Sequence, residues 1–168
     1  DEDLDLEPDL EPTLHPEAAA WLAELADVFE LVWATTWEEL ANQVIAPALG
    51  LPPLPAIEFD MDRRLPTAKL PSVIAWVGDR PCAWVDDDLW HDADTWAAGR
   101  AVPTLLVHVN MTEGLERRHV DRLLAASLLM AAVFLLARAL DNYAIVDVAW
   151  AGSFTVLAGR PKSFSTRL

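Results

Sequence analysis

The sequence predicts an α/β protein with a doubly wound, Rossmann-like parallel sheet and an apolar C-terminal helical extension. From residue 13 to residue 126, short apolar runs of strand length alternate with helical patterns. The strand-like runs are apolar on both sides, which is typical of a parallel sheet covered by helices on both faces. Beyond residue 126 a long apolar stretch has no polar face. We therefore divide the chain into an acidic tail (1–12), an α/β domain (13–126) and an apolar extension (127–168).

The first helix is predicted directly after the acidic tail, in "HPEAAAWLAELADVF". Pro16 suits the first turn of a helix, because that turn leaves its N–H groups without intrahelical partners. Trp21, Leu22, Leu25 and Phe29 then recur at helical spacing. This pattern indicates an amphipathic helix with one apolar face to bury.

A strand is predicted in "FELVWAT", and the next helix follows it through a tight turn. In "TWEELANQVIAPALG", Thr36 and Glu39 have the spacing of a capping box, and Gly50 marks the helix end. Further strands are predicted in "AIEF", "CAWVD" and "PTLLVHV", and further helices in "KLPSVIAWVG", "DADTWAAG" and "ERRHVDRLLAA".

The apolar extension begins with fifteen uncharged residues between Arg122 and Arg138. As a helix they span ~22 Å, which is shorter than the ~30 Å hydrocarbon core of a bilayer. The following "YAIVDVAWAGSFTVLAG" is apolar again but carries Asp147. Two interpretations stay open: a hydrophobic hairpin with membrane contact through residues 123–158, or a helix docked on the sheet with an extra strand.

Composition restricts the classes of function. The formal net charge is −15 and the chain has two lysines, Lys69 and Lys162, so we exclude nucleic acid as a partner. Cys82 is the single cysteine, which excludes an internal disulfide and every multi-cysteine metal arrangement, and fits a reducing cytoplasm. The four histidines show no ligand spacing such as HExxH, and we expect them on the surface or in helix caps.

Polar clusters follow two of the predicted strands. Thr35 and Thr36 follow "ELVWA", and Asp86 and Asp87 follow "CAWV" within a triple aspartate. Ligands bind at the carboxyl ends of strands in open parallel sheets, where a helix start can hold a phosphate and carboxylates can hold Mg²⁺. The alternatives are that Thr36 is only a helix cap and that the aspartates are only a solvated helix start.

Lys69 lies at the start of a predicted helix, where a cation opposes the helix dipole. A residue placed against its local preference is a candidate for function. Phosphate, metal and a neutralising lysine together favour phosphoryl transfer, in which catalysis is positioning and charge stabilisation.

The segments "ELVWATTW", "TAKLP" and "CAWVDDD", in this order, resemble the haloacid dehalogenase-like (HAD) hydrolase superfamily. The resemblance implies a HAD-type fold over residues 13–126 and Mg²⁺-dependent hydrolysis of a small phosphorylated substrate, a phosphomonoester. It implies that Thr35 hydrogen-bonds the transferring phosphoryl group and that Lys69 neutralises it. It also implies that Asp86 and Asp87 bind Mg²⁺.

The first motif of that family, an apolar strand ending in Asp-x-Asp, is not matched. The acids of residues 1–12 follow nothing apolar, and Asp60 and Asp62 of "FDMD" come after the second motif, so we expect a loop there. The chain begins with Asp rather than Met. We expect the nucleophile strand upstream of Asp1, hydrolysis through an aspartyl-phosphate if that strand exists, and little or no hydrolysis without it.

A second resemblance covers the C-terminal ~40 residues. "LDNYAIVDVAWAGSFTVLA", with the apolar helix before it, is similar to the start of steroid 5-alpha-reductase-like membrane proteins. The main hypothesis is therefore an incomplete, cytoplasmic HAD-like hydrolase. The alternative is a non-catalytic HAD-fold binding domain or a truncated or fused gene product, associated with a membrane through its C-terminus. Substrate identity and oligomeric state stay open.

Overall fold

The computed structural model describes residues 14–140, which form a mixed α/β structure around a small parallel sheet. Strands β1 (Cys82–Asp86) and β2 (Thr104–His108) pair in parallel, with Trp84 opposite Leu106. Within these residues the sheet has two strands and is accompanied by five helices. The helices are α1 (Ala18–Ala26), α2 (Leu40–Ala48), α3 (Leu70–Val77), α4 (His91–Ala98) and α5 (Arg117–Ala139).

Apolar side chains from the two faces of the sheet pack into two separate clusters. Trp84 of β1 and Leu106 of β2 pack with residues of α3 and α4. Leu105 and Val107 of β2 pack instead with residues of α1 and α5. Because side chains alternate across a strand, both faces of the sheet are apolar and both carry helices.

Two predicted strands form only a single bridge in the structure. Trp33 of "FELVWAT" pairs in parallel with Ala56 of "AIEF": the Trp33 N–H donates to the Pro55 carbonyl (2.8 Å) and the Ile57 N–H donates to the Trp33 carbonyl (2.9 Å). Pro55, which adjoins Ala56, has no backbone N–H, and a turn that starts at Thr35 ends the first segment, so the ladder does not extend. The doubly wound, HAD-type sheet stays a prediction.

The predicted capping box at the start of α2 is wrong. Thr36 is exposed and lies in a turn, and Glu39 is the N-cap residue without a side-chain capping bond. The Glu39 carboxylate instead accepts the side-chain N–H of Asn42 at 3.1 Å. The predicted helix end is confirmed, since α2 stops at Ala48 and Gly50 has a φ of 64°.

The remaining predicted elements are confirmed, and β1 has the bounds of the predicted "CAWVD". Helix α5 continues through residue 126, where the domain was predicted to end, and it includes the fifteen uncharged residues. It is long and apolar enough to cross a membrane. An 18-residue stretch of the helix has a mean hydropathy of 2.0, and 17% of that stretch is buried. The acidic tail and the predicted segment after α5 lie outside the described residues.

Candidate functional site

A buried ion pair joins the start of α3 to the carboxyl end of β1. Lys69 is the N-cap residue of α3, and its ammonium lies 2.5 Å from Asp86 Oδ2. The side chains are 11% and 4% exposed. Two charges removed from water in this way require good geometry and further hydrogen bonds, since desolvation opposes their attraction.

Asp86 receives those further bonds from its own strand and from the loop after it. The Trp84 indole N–H donates to Asp86 Oδ2 (3.1 Å), and the Asp88 N–H donates to Asp86 Oδ1 (3.0 Å). Asp88 Oδ1 in turn accepts the indole N–H of Trp90 at 2.7 Å. A carboxylate has about four acceptor positions, so three of those on Asp86 are used.

A second network holds the loop before Lys69 against α4. Thr67 is fully buried, and its hydroxyl donates to Asp92 Oδ1 (2.7 Å) and accepts the Trp90 N–H (2.9 Å). Burial alone raises the pKa of Asp92, but the bonds from the Thr67 hydroxyl and N–H and from the Ala93 N–H outweigh it and hold this pKa below its ordinary value. Asp92 therefore stays ionised and fixes the approach to Lys69.

The predicted phosphate-binding threonines lie on another part of the site. The Thr35 hydroxyl accepts the Trp37 N–H at 3.3 Å, and Thr35 lines a cavity of about 660 Å³ that also touches β1. Thr36 is exposed. Within residues 14–140 no hydrogen bond joins either threonine to Lys69 or Asp86.

The predicted metal ligands differ sharply in their surroundings. Asp86 is buried and Asp87 is exposed, and the described residues include no group of three or more His, Cys, Asp or Glu side chains that could hold a metal. Mg²⁺ needs only one or two carboxylates when water and a phosphate complete its shell. One free acceptor position on Asp86, together with the exposed Asp87 carboxylate, fits such a site.

The acids of "FDMD" lie in a loop, as the sequence predicts. Asp62 pairs with Arg64 at 2.8 Å, and this hydrogen bond lowers its pKa to about 2. The Asp60 N–H donates to Ser72 Oγ (3.1 Å) in the first turn of α3. Both acids line a cavity of about 450 Å³ beside α3.

The polar contacts of three side chains at the site, Trp84, Thr67 and Asp92, are not among the sequence predictions. Trp84 lies two residues before Asp86, a spacing that puts both side chains on one face of a strand and could have identified it. Thr67 and Asp92 meet across 25 residues, for which local sequence gives no signal.

No family model, curated protein or solved structure matches this chain.

Proposed function

We propose that the chain forms a cytoplasmic, HAD-like phosphomonoesterase site of the doubly wound type, which acts once a strand ending in Asp-x-Asp is supplied. The Lys69–Asp86 pair carries this proposal. It brings a cation and a carboxylate from two elements to one buried point at the carboxyl end of β1. Ligands of parallel sheets bind at such ends.

The chain's own residues divide the work of the reaction. The Lys69 ammonium has three N–H donors, of which Asp86 takes one, so two can bind oxygens of a phosphoryl group. Trp84 and the Asp88 N–H hold Asp86 still while it anchors Lys69. Thr35 contributes a hydroxyl from the neighbouring segment.

The covalent step belongs to the supplied strand. One aspartate oxygen attacks phosphorus, the ester P–O bond breaks, and the leaving oxygen takes a proton from the second aspartic acid. Water then attacks the phosphorus of the aspartyl-phosphate and gives a proton to the second aspartate, the P–O bond to the first aspartate breaks, and inorganic phosphate leaves as the carboxylate is regenerated. Without that strand, we expect the chain to bind phosphate and not to turn over.

Asp86 and Asp87 are the residues that would hold Mg²⁺. The ion supplies charge stabilisation to the phosphoryl oxygens. Asp87 is the better position to test, because its exposed side chain can change with little effect on folding.

The test is the melting temperature of the full chain with Mg²⁺ and inorganic phosphate at millimolar concentration. We expect a rise of several degrees, since a ligand bound only by the folded state stabilises it. Asp87→Asn should reduce the rise, and Asp94→Asn, an exposed acid of α4, should leave it unchanged. No rise in the wild type, or an equal rise in all three proteins, would contradict the proposal.

A second candidate function, membrane association, is favoured by α5. Leu128, Leu135 and Leu136 are 70%, 63% and 50% exposed on a helix that is long enough to cross a bilayer. An apolar helix surface of this kind is buried in protein or lipid. Membrane contact through residues 123–158 would leave the α/β domain as a binding module without catalysis.

Flotation with neutral phosphatidylcholine vesicles tests this second candidate, because the net charge of −15 would repel anionic lipid. We expect the full chain to float with the vesicles. The variant with Leu128→Glu and Leu135→Glu should stay in solution. Equal behaviour of the two proteins would exclude lipid contact by this helix.

A further inference from the structure

A groove runs between β1 and the segment of residues 31–35, and we call it the strand groove. Its volume is about 660 Å³, and one wall is Leu31–Thr35 while the other is Cys82–Val85. Leu25 and Leu123 close it on the side of α1 and α5. Val73 and Val77 of α3 close it on the opposite side. The groove therefore lies in the plane of the sheet and has apolar surfaces above and below.

The β1 wall presents unpaired backbone groups to the groove. The Cys82 N–H donates to the Pro103 carbonyl (3.0 Å), and the Asp86 carbonyl accepts the Val109 N–H (3.1 Å), so alternate residues of β1 point to β2. Ala83 and Val85 lie between them and point to the other edge. Neither forms a backbone hydrogen bond there with any residue in the described range.

The opposite wall has the same character. Trp33 directs both its N–H and its carbonyl to the Ala56 segment. Its neighbours Val32 and Ala34 must then point into the groove, and within residues 14–140 their backbone groups also have no hydrogen-bond partner. Two parallel pairs thus face each other with unsatisfied edges, which proteins normally pair or cover.

Both walls end on the same side of the molecule. The Phe59 N–H, after the Ala56 segment, donates to Glu38, which follows the Trp33 segment. The Asp60 N–H donates to Ser72 Oγ in the first turn of α3, the helix whose N-cap residue pairs with Asp86. The carboxyl ends of all three segments therefore meet near one edge.

We propose that the strand groove binds one added β-strand of about five residues, apolar on both faces and parallel to β1, supplied by a separate polypeptide segment. The length follows β1, and the parallel direction follows the two flanking pairs. Residues 1–13 are a poor occupant because acids fill most of them, and residues 143–150 carry Asp147 in their middle. Residues 153–158 are uncharged, but as a strand they would place Ser153 and Thr155 on one face, which is then not apolar. The binding mode is β-augmentation, in which main-chain bonds supply affinity and side-chain pockets supply specificity.

Cys82 gives a direct test, because it lines the groove at the amino end of β1. The probes are two acetylated peptides of Val, Ile and Leu with a Lys-rich tail, one with an activated disulfide on its first residue and one on its last. Burial raises the pKa of the Cys82 thiol, so the reaction is run at alkaline pH. We expect the first-position peptide to label the full chain several-fold faster. Equal rates would overturn the parallel strand.

A matched pair of variants tests the backbone contact. Ala83→Pro removes an N–H that faces the groove and leaves the ladder with β2 intact, whereas Ala83→Ser keeps the N–H. With both variants folded, as judged by their melting temperatures, we expect Ala83→Pro to lower the labelling rate about three- to tenfold. Equal labelling rates in the two variants would overturn the proposal, because an added strand must bond to the Ala83 N–H.

Hydrogen exchange on the full chain tests the choice of occupant. We expect the amides of Ala83 and Val85 to exchange quickly without peptide and to become protected with it. Protection before peptide is added would mean that the chain fills its own groove, and would overturn the proposal.

This inference stands on the groove and does not depend on phosphatase activity. Peptides ending in Asp-x-Asp and in Asn-x-Asn distinguish strand binding in the groove from the proposed phosphatase function. If both bind and neither supports hydrolysis, the added strand stands and the proposed function fails.

Discussion

Asp92 accepts two hydrogen bonds from Thr67, one from the hydroxyl at 2.7 Å and one from the backbone N–H at 3.1 Å. They tie the loop before α3 to the first turn of α4. Lys69 follows two residues later, so this pair sets the path by which the ammonium reaches Asp86. The two bonds favour the carboxylate form of Asp92, since both Thr67 groups are donors.

We expect Asp92→Asn to lower the free energy of unfolding by about 1 kcal/mol at pH 7, because its amide group presents N–H donors to the Thr67 donors. A carboxyl whose pKa is lower in the folded state stabilises the fold above its unfolded pKa of about 3.9 and loses this effect as the pH falls through the folded value. Urea unfolding should therefore show the difference between wild type and variant shrink below about pH 4.

The control for this prediction is Asp94→Asn, which changes an exposed acid in the same turn of α4. Both substitutions remove one negative charge from the helix start, so their effects on the helix dipole are alike. A loss as large in the control as in Asp92→Asn would mean that the Thr67 contacts contribute little.

Removal of one partner from the buried ion pair should be far more damaging than removal of both charges. Lys69→Met leaves the Asp86 charge uncompensated in a buried site, and we expect a loss of about 3–5 kcal/mol. Asp86→Asn added to Lys69→Met should recover part of this loss. A double-mutant cycle measured by urea unfolding gives the coupling energy.

Arg64→Met is the matched control for the ion pair, because Arg64 pairs with Asp62 at the surface with its side chain 89% exposed. We expect no measurable change in stability. Additive effects in the Lys69 and Asp86 cycle would show that the two charges do not stabilise each other in solution.

The indole N–H of Trp84 should contribute separately from its ring. Trp84→Phe removes the donor to Asp86 and some buried surface, and we expect a loss of about 2 kcal/mol. Trp96→Phe changes the ring that packs edge-on against Trp84, with centroids 6.4 Å apart, and should cost about half as much. Thermal unfolding measures the stability of the two variants. Equal losses of stability would mean that the indole hydrogen bond to Asp86 contributes nothing measurable.

Gly50 should resist substitution and Gly99 should accept it. Gly50 has a φ of 64°, so Gly50→Ala forces an L side chain into the left-handed region and should cost about 1 kcal/mol, although nothing lies within 4 Å of the new Cβ. Gly99 has a φ of −83°, and a Cβ there lies 3.4 Å from the Thr95 carbonyl oxygen. Gly99→Ala should be neutral or slightly stabilising in urea unfolding. The reverse order would contradict this account of the α2 C-terminus.

Elements with strong local signals were predictable from the sequence. β1 ends at the aspartate that closes its apolar run, and α5 follows from its long apolar stretch. The segments around Trp33 and Ala56 have the same strand propensity but form one bridge. A strand is defined by its partners, and sequence propensity does not show that the groove side of Val32 and Ala34 is empty of partners within the described residues.

The sequence also predicts some residues of the candidate site and not others. Lys69 and Asp86 could be selected by their positions at the ends of elements, and in the structure they are in direct contact. The sequence predicts that Thr35 acts with them, yet Thr35 lies on the wall of the strand groove opposite β1. The Thr67–Asp92 contact depends on how α3 and α4 pack, which no local pattern encodes.

Because Lys69 is buried, the rate of its chemical modification measures how often its site opens. The sequence has two lysines, so an amine-reactive reagent has few targets to distinguish by mass. Because Lys69 is 9% exposed and paired with Asp86 as a cation, acylation of its nitrogen requires this ion pair to break. The rate at which this one residue becomes modified therefore measures how often the ion pair breaks, and it needs no substitution in the chain.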